Sequence, residues 1–534
     1  MRKLPGCPCG SAIGRIIAAQ PSRGSFHHAR DQQRRLTNME QDARKIIVIG
    51  GGIAGLCAAV YAQKCGYETE VLEMHEMAGG LATSWRRGGY TFETCLHWLY
   101  GSSSEGPMHA QWQEVCDIDK LAFVKPKEFA HLETEDGSCL HLPTDIDRLE
   151  AEMLKRGPQD AAEVRRFAAS LRRIRKFRMP DPAAGWVRNG LTLLSDLPCM
   201  PLLREITKVS CMEYGERFKD PLLRSFFGEG EMGRLSVVAI FFALAWMSAG
   251  DANYAIGGSQ ALIRLIEERL ASLGGRVRFG ARVERILVEG DTAVGVQLAG
   301  GETVAADWVI SAADGHATIY DLLGGKYADQ AINKFYEELE IFPSYLQVSL
   351  GVALDLSELP AMLTRLLDAP LRVDPGTELH QVSFRIFHFD PTFAPAGKTV
   401  VTCFLPTRNN EYWADLRESD LAGYRAEKQR VAEAAIGILE KKVPGIRPAI
   451  EAIDVSTPAT IIRYTGNWKG SMEGWFPAPG GRFRPLPNTL PGLRRFLMVG
   501  QWVMPGGGLP AGPMTARPAI QRICKQDGVR FTPR

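Results

Sequence analysis

Three glycine-rich stretches, widely separated along the chain, carry the residue types that could bind a dinucleotide. The first is Gly50-Gly51-Gly52-Ile53-Ala54-Gly55, which fits the spacing G-x-G-x-x-G. In this spacing Gly50 makes the tight turn, Gly52 lets the backbone approach a pyrophosphate, and Gly55 allows a helix to pack closely on a strand. Glu73 follows about twenty residues later, where a carboxylate can bond both hydroxyls of a ribose.

The elements that must position these residues can be predicted from the flanking sequence. Lys45 to Ile49 is a short, β-branched apolar run, as expected of a buried strand. Leu56 to Cys65 is rich in alanine and predicts a helix whose free N-terminal amides would face the phosphates. A second strand, Glu68 to Leu72, would end just before Glu73. This order predicts a Rossmann-like unit, although the fingerprint alone does not separate FAD from NAD.

The residues that follow Glu73 favour FAD. They contain a second glycine pair, Gly79-Gly80, followed by Leu81. The stretch resembles the E-x5-G-G-R/K segment of the flavoprotein family that includes amine oxidases, phytoene desaturases, carotenoid isomerases and retinol saturase. In that family the segment lies along the FAD pyrophosphate and ribityl chain. Because Leu81 replaces the usual basic residue, the resemblance implies one charge contact fewer to the phosphates.

Two later stretches resemble the same family in the same order. Residues 254–314 resemble its second FAD-domain segment, in which the residue at the position of Val283 contacts the adenine through its backbone. Residues 496–512 resemble the C-terminal motif of phytoene-desaturase-like enzymes, in which a helix N-terminus stabilises the charge of the reduced flavin ring. The residues that the resemblance assigns to FAD are Gly50, Gly52, Ile53, Ala54, Gly55, Glu73, Gly79, Gly80, Leu81, Val283, Gly500, Gln501, Gly507, Gly508 and Leu509.

The sequence identifies no catalytic acid or base with the same clarity. Cys95-Leu96-His97 resembles a family segment that passes near the flavin ring, with Cys95 where glycine is usual. His97 is therefore the candidate catalytic group, facing the cofactor or the substrate. The competing interpretation is that His97 is an ordinary packing residue.

Composition sets the broad class of the protein. At 534 residues and 45% hydrophobic content, the chain can bury a large core and is too long for one compact unit. Its 63 basic and 61 acidic residues leave a net charge of +2, which argues against a nucleic-acid partner. The 11 cysteines form no C-x-x-C pair and no metal-ligand spacing, so we expect no metal site and a reducing, cytoplasmic location.

The predicted fold class is α/β, with a Rossmann-like FAD-binding domain of the GR2 flavoprotein type interleaved with an α+β substrate domain that contains a mostly antiparallel sheet. Residues 1–44 are basic and are expected to form a disordered extension, either transit-like or preceding a start at Met39. The expected parts of the FAD-binding domain are residues 45–107, 254–325 and 491–534. A helical substrate or cap region is expected at 108–253, and the substrate-domain sheet and helices at 326–490.

Membrane contact is a separate question. Leu235 to Gly250 has no charged residue but is shorter than the roughly 20 residues that a bilayer span requires. We interpret it as a buried helix or the wall of an apolar cavity. Peripheral membrane contact by this stretch or by Leu191 to Leu203 stays open. The arginine-rich helix predicted from Leu149 to Arg178 fits a solvated face better than a surface for anionic lipid.

These features together indicate an FAD-dependent oxidoreductase of the phytoene dehydrogenase type. The resemblance implies an apolar isoprenoid or polyene substrate, whose carbon–carbon bonds are desaturated, saturated or isomerised. The sequence shows no second dinucleotide fingerprint, so electrons would pass to or from a quinone, oxygen or a transiently bound nicotinamide. One alternative is a flavin amine oxidase. Another is a non-enzymatic prenyl-lipid escort of the GDP-dissociation-inhibitor type, although the FAD motifs at Glu73 and Gly79-Gly80 argue against it.

Overall fold

The computed structural model describes residues 44–178, 186–481 and 487–533, so the predicted N-terminal extension lies outside the described residues except for Arg44. The strands are β1 Lys45–Ile49, β2 Glu68–Leu72, β3 Ser84–Arg87, β4 Tyr90–Glu93, β5 Leu99–Tyr100, β6 Phe123–Val124, β7 Glu128–Glu133, β8 Cys139–Pro143, β9 Ala252–Ala255, β10 Arg276–Arg278, β11 Val283–Glu289, β12 Thr292–Leu298, β13 Thr303–Ala305, β14 Trp308–Ser311, β15 Ser344–Val352, β16 Met362–Asp374, β17 Thr377–Ile386, β18 Thr399–Thr407, β19 Ile450–Ser456 and β20 Phe496–Met498.

The α-helices complete the architecture. They are α1 Ile53–Lys64, α2 Pro107–Val115, α3 Ile146–Arg156, α4 Ala161–Ile174, α5 Trp186–Asp196, α6 Met200–Ile206, α7 Cys211–Gly215, α8 Pro221–Phe226, α9 Gly230–Gly233, α10 Val238–Ala249, α11 Gly258–Ser272, α12 Gln330–Glu338, α13 Asn410–Ser419, α14 Leu421–Lys442, α15 Pro458–Thr465 and α16 Ala511–Asp527.

A five-stranded parallel sheet brings the three glycine-rich stretches together. Its order is β10-β2-β1-β14-β20. β1, which precedes the first glycine turn, therefore lies between β2 of the same stretch and β14 of the second stretch, residues 254–314. In register, Ile47 of β1 faces Val309 of β14 on one side and Glu70 of β2 on the other. β20 of the third stretch pairs with β14. The carboxyl ends of these strands therefore meet at one edge, where such sheets bind ligands.

A seven-stranded sheet forms the second layer. Its order is β19-β15-β18-β17-β16-β7-β8, and its pairs are antiparallel except for β16 with β7. The alternating runs at 345–353, 381–389 and 399–405 correspond to β15, β17 and β18, as the sequence predicts. A parallel sheet with flanking helices beside a mostly antiparallel one confirms the expected fold class.

The sequence between the two parts of the parallel sheet is mostly helical, but it also contributes the hairpin β7–β8 to the seven-stranded sheet. The stretch predicted as one basic helix is two helices, α3 and α4, separated at Gly157 and Pro158. Its arginines pair with acids; Arg172, for example, lies 2.5 Å from Asp147 and 2.6 Å from Glu150. These ion pairs are consistent with a solvated face.

The apolar run at 235–250 forms α10, which packs its Phe241 and Leu244 side chains into a core cluster with α4 and α8. This confirms the prediction of a buried helix. Among the described helices, none combines the length and the apolar character that crossing a bilayer would demand.

Candidate functional site

The turn between β1 and α1 has the geometry that its glycines predict. Gly50 has a φ of 95°, and its N–H donates a 2.8 Å hydrogen bond to the Leu72 carbonyl at the end of β2. A Cβ on Gly55 would lie 2.0 Å from the Gly50 carbonyl oxygen, so α1 can approach the turn only with glycine there. Gly52 is the N-cap of α1 and no side chain caps it, which leaves the first amides of the helix open to an anion.

Glu73 is held at the end of β2 by two backbone amides. One carboxylate oxygen accepts a 2.6 Å hydrogen bond from the Gly51 N–H, and the other accepts a 2.9 Å hydrogen bond from the His75 N–H. The Ala281 N–H, just before β11, donates to the Glu73 carbonyl oxygen at 2.8 Å. The glycine turn, the acid and the start of β11 are therefore fixed relative to one another.

The glycine pair Gly79-Gly80 lies directly against the first glycine turn. The Gly79 N–H donates a 3.0 Å hydrogen bond to the Gly51 carbonyl, and Gly79 forms an isolated parallel bridge with Gly52. Gly79 and Gly80 have φ values of 129° and 60°, a region of backbone conformation that favours glycine. Leu81 follows this pair and lines the same side of the site.

The third stretch closes the site from the opposite side. Gly500, after β20, donates its N–H to the Thr515 hydroxyl of α16 at 2.9 Å, and a Cβ on Gly500 would lie 3.3 Å from that of Ala54. On α16, a Cβ on Gly512 would lie 3.1 Å from the Ile53 side chain. No side chain caps the N-terminus of α16; its Ala511 and Gly512 N–H groups donate to the Gly508 and Leu509 carbonyls at 3.1 and 3.0 Å, and Pro513 has no N–H to offer.

These elements enclose one cavity of about 820 Å³. Of the residues assigned to the cofactor, Gly55 lies beneath Gly50 and Gly507 lies behind Glu473, and neither is part of the lining. The assigned residues that do line it are Gly50, Gly52, Ile53, Ala54, Glu73, Gly79, Gly80, Leu81, Val283, Gly500, Gln501, Gly508 and Leu509. The open amides at the N-terminus of α1 and the glycines that let backbone approach closely fit a dinucleotide with a ring system at the third stretch.

The cavity continues beyond the glycine loops into a chamber with apolar walls. Among the aromatic residues in and beside β15–β18, Phe384 and Phe387 are buried core residues. Phe342, Tyr345 and Phe404 instead line the chamber. Other apolar lining residues are Trp98, Phe129, Phe226, Met232, Met362 and Met472.

His97 lines the same cavity, beside Phe404. Its backbone carbonyl accepts a 2.5 Å hydrogen bond from Arg385. Burial, together with the nearby Arg385 guanidinium, lowers the pKa of His97 to about 3. The imidazole is therefore neutral near pH 7 and is not a source of a proton from its charged form.

Glu473, in the loop between α15 and β20, is the group that the sequence did not single out. It is partly exposed and lines the cavity, and among the described residues its carboxyl forms no hydrogen bond and no ion pair. Burial raises the pKa of this carboxyl to about 7, and its charge helps to raise the pKa values of Cys95 and Tyr345. The one sequence signal for Glu473 is its position as a lone acid in the apolar stretch Met472-Glu473-Gly474-Trp475. This stretch lies between the segments 254–314 and 496–512, which resemble the family.

Asp314 is a second buried acid, and it differs from Glu473 because its carboxylate is hydrogen-bonded. Burial raises its pKa to about 7 as well, but its two oxygens accept 2.8 Å hydrogen bonds from the Ala317 and Trp468 N–H groups. These bonds tie together the loops after β14 and α15. Asp314 therefore has a structural role, whereas the Glu473 carboxyl is available to a ligand.

Comparison with known proteins agrees with this geometry. Over 527 residues the chain is 25% identical to prolycopene isomerase 1, chloroplastic, of an Oncidium hybrid cultivar, covering 92% of this chain and 85% of that protein. It is also 25% identical to the neurosporene-forming phytoene desaturase of Cereibacter sphaeroides, covering 88% and 92% of the two chains. An oxidoreductase from Methanosarcina mazei has the same fold, with a TM-score of 0.57, 18% identity, and coverage of 89% of this chain and all of that one.

The family model for flavin-containing amine oxidoreductases matches residues 53–427, which is well over half of the chain. This match agrees with the cradle at Gly50, Glu73 and Gly500 and makes FAD the cofactor. The chain therefore belongs to the flavin-containing amine oxidoreductase family and is an FAD-dependent oxidoreductase.

Proposed function

We propose that this enzyme desaturates, saturates or isomerises carbon–carbon bonds of an isoprenoid or polyene substrate. The observation that carries the proposal is that one cavity runs from the dinucleotide cradle at Gly50 and Glu73 into the aromatic chamber around Tyr345 and Phe404. An extended apolar molecule bound there would place a carbon–carbon bond beside the cofactor. The names of the relatives, a prolycopene isomerase and phytoene desaturases, support the same substrate class.

The residues around the cradle receive the following roles. The first amides of α1 hold the pyrophosphate, and Glu73 binds the ribose hydroxyls. We assign Val283 to the adenine, and Gly500, Gln501, Gly508 and Leu509 to the ring; all five line the cavity. We assign residues 45–107, 254–325 and 491–534 to this FAD-binding domain, and residues 108–253 and 326–490 to the substrate side.

Bound FAD supplies hydride chemistry, accepting or donating a hydride at N5. Removing a hydride and a proton from adjacent carbons makes a double bond, and the reverse addition removes one. Glu473 takes up or supplies that proton, because its free carboxyl has a pKa near 7 and faces the chamber. The aromatic walls orient the apolar chain and exclude water.

The electron partner is assigned only by chemical class: a quinone, oxygen or a transiently bound nicotinamide. For delivery of an apolar substrate we propose peripheral membrane contact through α5. Its Leu191, Leu193 and Leu194 are 64%, 56% and 63% exposed, and Leu197 just beyond it is 53% exposed. Leucines this exposed on one short helix are typical of an interaction surface.

The test is an anaerobic reduction experiment on the FAD-loaded protein. Polyene and isoprenoid lipids, presented in detergent or vesicles, and a matched set of primary and secondary amines are added separately, and the flavin absorbance is followed. Bleaching by the lipids with formation of a more unsaturated product supports the proposal. For the isomerising and saturating reactions, the flavin is first reduced chemically and the lipid product is analysed. Turnover of amines alone would identify an amine oxidase instead.

A further inference from the structure

A second cluster of chemically capable side chains lies on the hairpin β7–β8, outside the cavity. His131 and His141 face each other in the antiparallel register, and Cys139 faces Glu133 two pairs further along. Because side chains alternate along a strand, these four residues share one face of the hairpin. The opposite face carries the buried residues Ala130, Leu132, Leu140 and Leu142.

Three side chains that could bind a metal ion lie close together in this cluster. The two Nδ1 atoms of His131 and His141 lie 3.1 Å apart, and one ligand atom from each of His131, Cys139 and His141 lies within 4.8 Å of the others. Two nitrogens at the usual Zn–N distance in a tetrahedral site are separated by about 3.3 Å. The Cys139 and His141 side chains are exposed, so small rotations of these side chains can close the remaining gap around an ion.

Neighbouring carboxylates complete the arrangement. Glu128 lies 3.4 Å from the Nδ1 atom of His141, and Glu133 lies 3.8 Å from the Nε2 atom of His131. Glu133 is itself fixed by Lys442 at 2.8 Å and Arg365 at 3.0 Å. At 3.8 Å, Glu133 makes no hydrogen bond to His131, but it adds negative charge beside the site. Glu128 is close enough to His141 to supply a fourth ligand in this arrangement.

We propose that His131, Cys139 and His141 bind a divalent transition-metal ion of the zinc class. Imidazole and thiolate ligands select such an ion over magnesium or calcium, which prefer oxygen. This site departs from the expectation of no metal, since the ligands become neighbours only when the hairpin forms. Because Ala130 and Leu132 line the cavity from the other face of β7, the ion would hold the edge strand β8 to a wall of the substrate chamber.

The experiment uses the FAD-loaded full-length protein, titrated with zinc chloride by calorimetry after treatment with a chelator. We expect one zinc ion per chain, and binding at least about tenfold weaker in Cys139→Ser and in His141→Ala. X-ray absorption at the zinc edge should show sulfur and nitrogen neighbours, and the sulfur signal should disappear in Cys139→Ser. Flavin content and circular dichroism check that each variant is folded.

Two controls separate this site from others in the chain. Glu135→Gln removes an acid from the same hairpin that pairs with Lys441 and is not a ligand, so binding should be unchanged. A variant carrying Cys7→Ser and Cys9→Ser removes the two closely spaced cysteines near the N-terminus and should also leave binding unchanged. Absence of stoichiometric zinc, binding that survives both ligand substitutions, or a spectrum without sulfur would each overturn the proposal.

Discussion

Gly507 lies directly against Glu473. A Cβ atom on Gly507 would be 2.9 Å from the Glu473 Cβ and 2.6 Å from the Glu473 carbonyl oxygen. The glycine loop that resembles the ring-approaching motif therefore also holds the unpaired acid in place. This contact ties the position of the proposed proton donor or acceptor to the ring end of the cofactor site.

Replacing Glu473 with glutamine should lower kcat/KM by roughly 10²- to 10⁴-fold, the usual contribution of a general acid or base. The wild-type rate should rise with pH through about 7 if Glu473 acts as a base, and fall if it acts as an acid. The glutamine variant should lose that step. Steady-state rates measured from pH 5 to 9 check this. Glu378→Gln, an exposed acid on the same cavity, is the matched control and should keep the profile.

The same substitution should change how stability depends on pH. The pKa of Glu473 is raised from 4.5 to about 7 in the folded chain, so between these values the folded state holds a proton that the unfolded state has lost. Wild-type stability therefore falls as pH rises through this window. Glu473→Gln should become more stable than the wild type across it, by up to about 3 kcal/mol. Thermal melting of both proteins at several pH values measures this; a difference in Tm that does not vary with pH would contradict it.

Glu73→Gln should weaken FAD binding without unfolding the protein. The loss of charge weakens the bonds that orient the side chain and those we assign to the ribose, and hydrogen bonds to charged groups contribute about 1.5–3 kcal/mol each. We expect the Kd for FAD to rise by roughly 10- to 100-fold, measured by fluorescence titration of the apoprotein. Glu76→Gln, an exposed neighbour on the same loop, should bind FAD normally.

Gly55→Ala should disrupt the first turn. Its Cβ would lie 2.0 Å from the Gly50 carbonyl oxygen, so α1 must move away from the turn that faces the pyrophosphate. We expect a purified protein with most of its FAD lost and a reduced Tm. Gly437→Ala in α14 has no neighbouring atom within 4 Å, so it should retain FAD and gain up to about 1 kcal/mol from helix propensity. Equal flavin content in the two variants would argue against this role for Gly55.

The exposed leucines of α5 should be required for membrane contact. A variant with Leu191→Glu and Leu194→Glu should lose cosedimentation with lipid vesicles, because charged side chains do not enter the interface favourably. Leu421→Glu changes a leucine that is 49% exposed on another helix and should leave vesicle binding intact. If the wild type does not sediment with vesicles, or if all three proteins sediment alike, α5 is not a membrane surface.

The sequence was sufficient wherever the signal is local. The turn at Gly50–Gly55, the acid at Glu73 and the pair at Gly79-Gly80 lie within one strand–helix–strand unit, where backbone geometry demands glycine at fixed spacings. The strands β15, β17 and β18 were predictable because apolar side chains alternate along them. β16 was not, since Pro370 and a register shift between Leu366 and Leu371 interrupt its alternation.

Only the tertiary structure placed the remaining groups. Glu473 becomes a candidate acid because the fold buries its carboxyl in the cavity and no side chain in the described part of the chain pairs with it. Neither effect can be read from residue spacing. His131 and His141 become neighbours through a strand register that the hairpin sets. The sequence thus determined the glycine turn and the acid of the cofactor site, because a short stretch of backbone needs particular residues at fixed spacings. The fold decided which distant side chains share an environment, because burial and charge depend on everything packed around them.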